Sequence, residues 1–176
     1  MRKIIKHIFY NWLGWKIVGE FPQIDKAIVI VAPHTSNWDF PIGLFTRYIK
    51  NEKIKFVGKK ELFRWPFGYY FKAVGGIALD RTPGQSKTDA FAKLFKQYDK
   101  LKIQIAPEGT RSSVKEWKTG FYWIAVKAEV PIIPIAFDYA TKTVTVFDTF
   151  HPTGKIEKDL PHIKRYFEHA VGYKDL

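Results

Sequence analysis

Short apolar runs punctuate this chain at 27–32, 53–57, 75–79, 101–106, 131–137 and 143–148. Helical patterns fill most of the gaps between them, at 38–49, 60–72, 86–100, 119–128 and 159–171. Strands alternating with helices imply an α/β fold: a largely parallel, mixed sheet flanked by helices on both faces. In the stretch 86–100, Ser86 and Asp89 read as a capping box, and Phe91, Leu94, Phe95 and Tyr98 as the buried stripe. Asp159 and Pro161 suit the cap and first turn of the last helix. No repeat, low-complexity segment or linker divides the chain. Residues 1–176 are therefore expected to form a single domain, long enough for a proper core.

In sheets of this kind, the loops beyond the carboxyl ends of the strands gather ligands. Four polar clusters follow four successive strand runs here. The run Ala27-Ile28-Val29-Ile30-Val31-Ala32 stops at Pro33 and releases His34, with Asp39 five positions on. Gly58-Lys59-Lys60 follows the second run, Asp80-Arg81 the third, and Glu108-Gly109-Thr110-Arg111 the fourth. Histidine is the side chain best suited to move protons near neutral pH, and a carboxylate can fix its tautomer. Residues five apart do not face each other on a continuous helix, so His34 and Asp39 can meet only across a turn. The same residues also read as an ordinary helix start, with Ser36 as N-cap and Asp39 as its capping-box partner.

A substrate hydroxyl is the preferred nucleophile, with His34 taking its proton. Ser36, Ser112 and Ser113 are rival nucleophiles, but none lies in a Gly-x-Ser-x-Gly elbow. Gly109 allows backbone N–H groups to approach an oxyanion closely, and Thr110 and Arg111 add a hydroxyl and a forked cation. Taken singly, Lys59, Lys60, Arg81 and the Glu108 turn read as solvated charge or plain loop. Together they make a cationic pocket beside a base, which suits a phosphorylated alcohol as acceptor.

Composition narrows the partners. The net charge is +12, from 29 Lys and Arg against 17 Asp and Glu, which attracts anionic lipid, an acidic carrier protein or nucleic acid. Zinc-finger spacings and RNP-type aromatic motifs are missing, so nucleic acid is not expected. The chain has no cysteine, which removes disulfides, thiolate nucleophiles and cysteine metal sites. No apolar run approaches the roughly 18–20 residues that span a bilayer, and the N-terminus does not read as a signal peptide. Residues 2–16 read as a basic amphipathic helix, within an N-terminal segment of 1–20. Ile4, Ile5, Ile8, Phe9, Trp12 and Leu13 share one face, and Arg2, Lys3, Lys6 and His7 the other. Such a helix either packs on the core or lies in a membrane interface with Trp12 and Trp15 at headgroup depth. The segment from Leu62 to Phe71 is aromatic all round and should be interrupted at Pro66 and Gly68. Core packing and contact with lipid both fit it.

The motifs together resemble the glycerolipid acyltransferases of the lysophosphatidate acyltransferase type. His34-Thr-Ser-Asn-Trp-Asp39 is similar to that family's His-x4-Asp block, and Val57-Gly58-Lys59-Lys60-Glu61-Leu62-Phe63 to its lysine-bearing segment. Gly75-Gly76-Ile77-Ala78-Leu79-Asp80-Arg81 resembles the second block, Pro107-Glu108-Gly109-Thr110-Arg111-Ser112 the third, and Val130-Pro131-Ile132-Ile133-Pro134-Ile135 the fourth. They occur in family order. The resemblance implies transfer of a fatty acyl group from a thioester, on coenzyme A or acyl carrier protein, to a lipid hydroxyl. It implies His34 as the base and Asp39 as its orienting partner. Lys59, Arg81, Gly109, Thr110 and Arg111 would bind the acceptor phosphate, Glu108 would shape their loop, and Pro131 belongs to a block linked with acyl-chain binding or fold integrity. No metal or redox cofactor is implied. The default acceptor is 1-acylglycerol-3-phosphate, with other lyso-lipids, including aminolipids, as alternatives. A peripheral protein on the cytoplasmic face of the cell membrane is expected. Many members carry a longer N-terminal membrane region than the 26 residues before the first expected strand here, and Trp117-Lys118-Thr119-Gly120-Phe121-Tyr122 resembles a compact subgroup. A lipid- or anion-binding protein without turnover, and a hydrolase that passes the acyl group to water, are the competing functions.

Overall fold

The computed structural model describes residues 2–79, 86–110, 114 and 116–176. Strand β2 (Lys26–Ala32) is its axis. Ala27 through Ala32 are all buried, because the strand has a neighbour on each side and helices above and below. Ile28, Ile30 and Ala32 enter one apolar cluster, while Ala27, Val29 and Val31 enter another on the opposite face. Sealing an isoleucine such as Ile28 or Ile30 from water contributes about 1.5–3 kcal/mol each.

The other strands are β1 (Lys16–Val18), β3 (Ile54–Lys59), β4 (Gly76–Leu79), β5 (Leu101–Ile105), β6 (Ile132–Asp138) and β7 (Thr143–Val146). They form one sheet in the order β1-β7-β6-β2-β5-β3-β4. All pairings between these strands are parallel except β6 with β7, where the short turn from Asp138 to Thr143 reverses the chain. Helix α1 (Arg2–His7) and helix α2 (Asp39–Ile49) belong to the β2 face that holds Val29 and Val31, where Ile42 and Ile49 of α2 are buried. Helices α4 (Lys87–Gln97), α5 (Gly120–Ala128) and α6 (Ile156–Arg165) cover the Ile28 and Ile30 face through Phe95, Phe121 and Ile163. The expected mixed, mainly parallel α/β architecture is present.

Several boundaries differ from expectation. The N-terminal helix does not run to residue 16. It ends at His7, continues as a π-helical turn over Ile8–Trp12, and stops at Gly14, whose φ of +70° turns the chain into β1. That strand was not anticipated, because Lys16-Ile17-Val18 is too short to signal itself. Phe9 and Trp15 are fully or nearly fully buried in the core, whereas Ile4 and Trp12 stay exposed. The expected apolar face is therefore split, and packing on the core accounts for its buried half.

The stretch 60–72 is interrupted as Pro66 and Gly68 required: a 3-10 turn over Lys60–Phe63 precedes α3 (Gly68–Ala73). Ser86 caps α4 by accepting the Asp89 N–H, and Phe95 is buried while Tyr98 remains exposed. The last helix starts three residues early, at Ile156, with Pro161 inside it. Asp159 does not cap that helix. It accepts the Thr153 N–H and the Tyr122 hydroxyl, both at 2.7 Å, and ties α5 to the loop before α6. Burial pushes its carboxyl up, but these hydrogen bonds outweigh that and hold it below the usual carboxylate range.

Candidate active site

Because β6, β2, β5 and β3 run parallel as neighbours, their carboxyl ends open onto one edge of the sheet. The chain leaves β2 through the cis peptide Ala32–Pro33 and reaches His34 within two residues. It then turns into α2. Within that turn Ser36 Oγ accepts the Trp38 N–H at 3.1 Å, and Asp39 Oδ2 accepts the Ser36 N–H at 3.0 Å. Ser36 does not cap the helix, which starts at Asp39 after Trp38 with no side-chain cap bond; its two bonds instead close the turn that brings Asp39 back to His34.

His34 Nδ1 lies 2.8 Å from Asp39 Oδ2. The separation is that of an ion pair, although the approach falls short of hydrogen-bond angles and no other described group bonds Nδ1. Apo sites often hold such contacts loosely until substrate arrives. The Asp39 side chain is sealed, at 2% exposure, while that of His34 keeps 20%. Both Asp39 oxygens have partners: Oδ1 accepts the Tyr139 hydroxyl at 2.6 Å. Burial first, and then this bond to Asp39, push the Tyr139 phenol well above its ordinary range, so it remains a neutral donor.

The next strand end supplies Glu108. Its Oε2 accepts the His34 backbone N–H at 2.7 Å, fixing the β2 turn to the β5 turn. Burial raises the Glu108 carboxyl above its usual range, and the bond from His34 opposes that rise only in part. Gly109 has φ +66°, and a side chain there would meet the aliphatic end of Lys118. Gly109 and Thr110 face solvent beside this turn. Lys59 ends β3 on the same edge, but its side chain, like Arg81 and Arg111, lies outside the described residues. Pro131 is elsewhere: its carbonyl accepts the Ile28 N–H at the amino end of β6, the opposite edge of the sheet.

Sequence reading missed three contributors. Tyr139 follows the carboxyl end of β6, a strand end that carried no flagged motif. Lys118 packs over Gly109, although only its place in Trp117–Tyr122 had drawn notice. The C-terminal segment returns over the His34 turn, where the Lys174 N–H bonds Thr35 Oγ1 at 3.3 Å and Tyr173 stacks edge-on against Tyr139. Away from the turn, a groove of about 530 Å³ runs along α2 from Pro41 to Asn51, with mainly apolar walls that include Ile5, Leu44, Phe45 and Val74.

Fold and site define an α/β protein with a histidine–carboxylate turn at the open carboxyl edge of its sheet. Residues 16–138 match the family model described as Acyltransferase, and the chain belongs to that family. It is 32% identical over 135 residues to a 1-acyl-sn-glycerol-3-phosphate acyltransferase of Haemophilus influenzae, covering 72% of this chain and 55% of the relative. A protein of the same name from Streptococcus pneumoniae is 32% identical over 147 residues, covering 74% and 54%. The chain thus spans about half the length of these relatives. The crystal structure of the 1-acyl-sn-glycerophosphate (LPA) acyltransferase PlsC from Thermotoga maritima superposes with a TM-score of 0.66 at 22% identity, covering 95% of this chain and 75% of that one. That likeness establishes the shared fold.

Proposed function

We propose that this protein transfers a fatty acyl group from a thioester, on coenzyme A or acyl carrier protein, to the free hydroxyl of a lysophospholipid, with 1-acylglycerol-3-phosphate as the acceptor. The observation that carries the reading is the His34–Asp39 pair at 2.8 Å on the edge that also holds the Glu108-Gly109-Thr110 turn. The names of the relatives support the choice of acceptor.

His34 takes the proton of the acceptor hydroxyl as its oxygen attacks the thioester carbonyl carbon. Asp39 stabilises the imidazolium that forms. The tetrahedral intermediate collapses, the C–S bond breaks, and the proton on His34 passes to the departing thiolate. One ester and one free thiol result, so atoms and charge balance. General-base assistance of this kind is worth about 10²–10⁴ in rate. Lys59, Arg81, Gly109, Thr110 and Arg111 bind the acceptor phosphate, and Glu108 holds their loop against the His34 turn. No described helix is long and apolar enough to cross a membrane; the proposal places the protein at the cytoplasmic membrane surface, where anionic lipid attracts its basic charge.

The test combines purified protein, an acyl thioester and a panel of lyso-lipids, with products read by mass spectrometry. Acylated 1-acylglycerol-3-phosphate should form, and His34→Ala should lower its formation at least about a hundredfold. Full activity of that variant would remove the base from the proposal. Free fatty acid released regardless of acceptor would assign a hydrolase instead.

A further inference from the structure

We infer that the segment from Leu62 to Tyr70 is an interfacial foot that seats the protein on an anionic bilayer. The choice of a bilayer as partner rests on the acyl-transfer reading above. This aromatic segment is ordered by its inward half. Phe63 and Phe71 pack edge-on, and Phe71 in turn packs on Phe56 of β3. The Gly68 N–H bonds the Arg64 carbonyl at 2.8 Å, and a side chain at Gly68 would collide with the Phe63 carbonyl. With those two phenylalanines turned in, the remaining rings are turned out: Trp65 is 85% exposed, Tyr69 78% and Phe67 68%. So much apolar ring surface in one short segment marks an interaction site rather than scattered surface residues.

Three features select a lipid surface as the occupant. Trp and Tyr rings have an apolar body and a polar handle, which suits headgroup depth. Lys60, Arg64 and Lys72 are exposed around the rings, and Glu61 is the one acidic residue between Lys60 and Lys72. Lys72 also lines an open recess of about 250 Å³ with Trp65 and Tyr69, which places a cation among the rings. Charge and rings together match an anionic interface, where each nearby basic residue adds attraction. Position agrees as well. The segment leaves the carboxyl end of β3, the edge that carries His34, so a bilayer under the foot lies beside the site where a lipid acceptor must arrive. The N-terminal segment has given Phe9 and Trp15 to the core, which leaves the foot as the larger aromatic surface.

The experiment measures sedimentation of the full chain with phosphatidylcholine vesicles, with and without phosphatidylglycerol, at low and high salt. The parent should bind the anionic vesicles, less so in salt. The triple variant Trp65→Ser, Phe67→Ser, Tyr69→Ser should bind them at least about tenfold more weakly, or about 1.4 kcal/mol, with its thermal midpoint unchanged. Arg64→Glu with Lys72→Glu, which keeps every ring, should lose binding to anionic vesicles only. It keeps the inference testable should the triple variant not fold. Unchanged binding of both variants overturns the inference. So does a larger loss from Trp12→Ala than from the foot variants, or a parent oligomer that the triple variant disperses while vesicle binding persists. Binding is measured without turnover. Its failure leaves acyl transfer standing, and absence of turnover leaves the foot standing.

Discussion

Replacing Tyr139 by Phe removes one oxygen and tests how Asp39 is held. The Tyr139 hydroxyl donates to Asp39 Oδ1 at 2.6 Å, and no other described donor is bonded to that oxygen. Asp39 is 2% exposed, so water cannot freely replace the lost bond. Phe keeps the ring, and with it the edge-on contacts to Trp15 at 4.8 Å and Tyr173 at 5.4 Å. The cost is therefore nearly all hydrogen bond: about 1.5–3 kcal/mol for a buried bond to a charged group. For a chain of this size that lowers the thermal midpoint by roughly 3–12 °C. Function should respond in a way that stability alone does not. With one donor gone, Asp39 is held less firmly against His34, so kcat should fall while KM changes little. The assays are thermal unfolding and acyl-transfer kinetics. A variant as stable as the parent, with unchanged kcat, would refute the role assigned to Tyr139.

Glu108 offers a pH test with a worked sign. Burial raises its folded pKa above the unfolded value, so its ionisation disfavours the fold. Stability from this residue is greatest below the unfolded pKa and is lost as pH rises through the folded one. Glu108→Gln keeps an acceptor for the His34 N–H and cannot ionise. It should melt higher than the parent at pH 8, with the gap closing near pH 4, whereas a lower midpoint at pH 8 contradicts the reading. Arg47 clamps α2 to the sheet, donating to the carbonyls of Ile54 at 2.6 Å and Val74 at 2.7 Å, and burial lowers its guanidinium pKa. Arg47→Met strands both carbonyls and should cost about 2–4 kcal/mol in urea unfolding. Arg47→Lys should recover only part of that, because an ammonium lacks the planar fork.

The parts of this protein legible from sequence are those in which local pattern and final contact coincide. Strand β2 could be read because burial on both faces demands an unbroken apolar run, and α4 because Ser86 and its stripe lie within one helix. The His34–Asp39 pair was legible because its members are five residues apart and a single turn brings them together. The N-terminal helix was overextended because an apolar periodicity cannot distinguish Phe9, which enters the core, from Trp12, which does not. Asp159 looked like a cap because nothing local announces Tyr122, 37 residues away, as its donor.

The sequence alone determined the layered α/β plan, the strand ends on which polar residues would gather, and the local turn that pairs His34 with Asp39. Only the tertiary structure decided what holds that pair in place. Tyr139 reaches Asp39 across 100 residues of chain, and Glu108 reaches the His34 N–H across 74. The physical reason is the order of the sheet. Strand β2 lies between β6 and β5, so residues far apart in sequence arrive at one edge, and no periodicity within any segment records which strands will be neighbours.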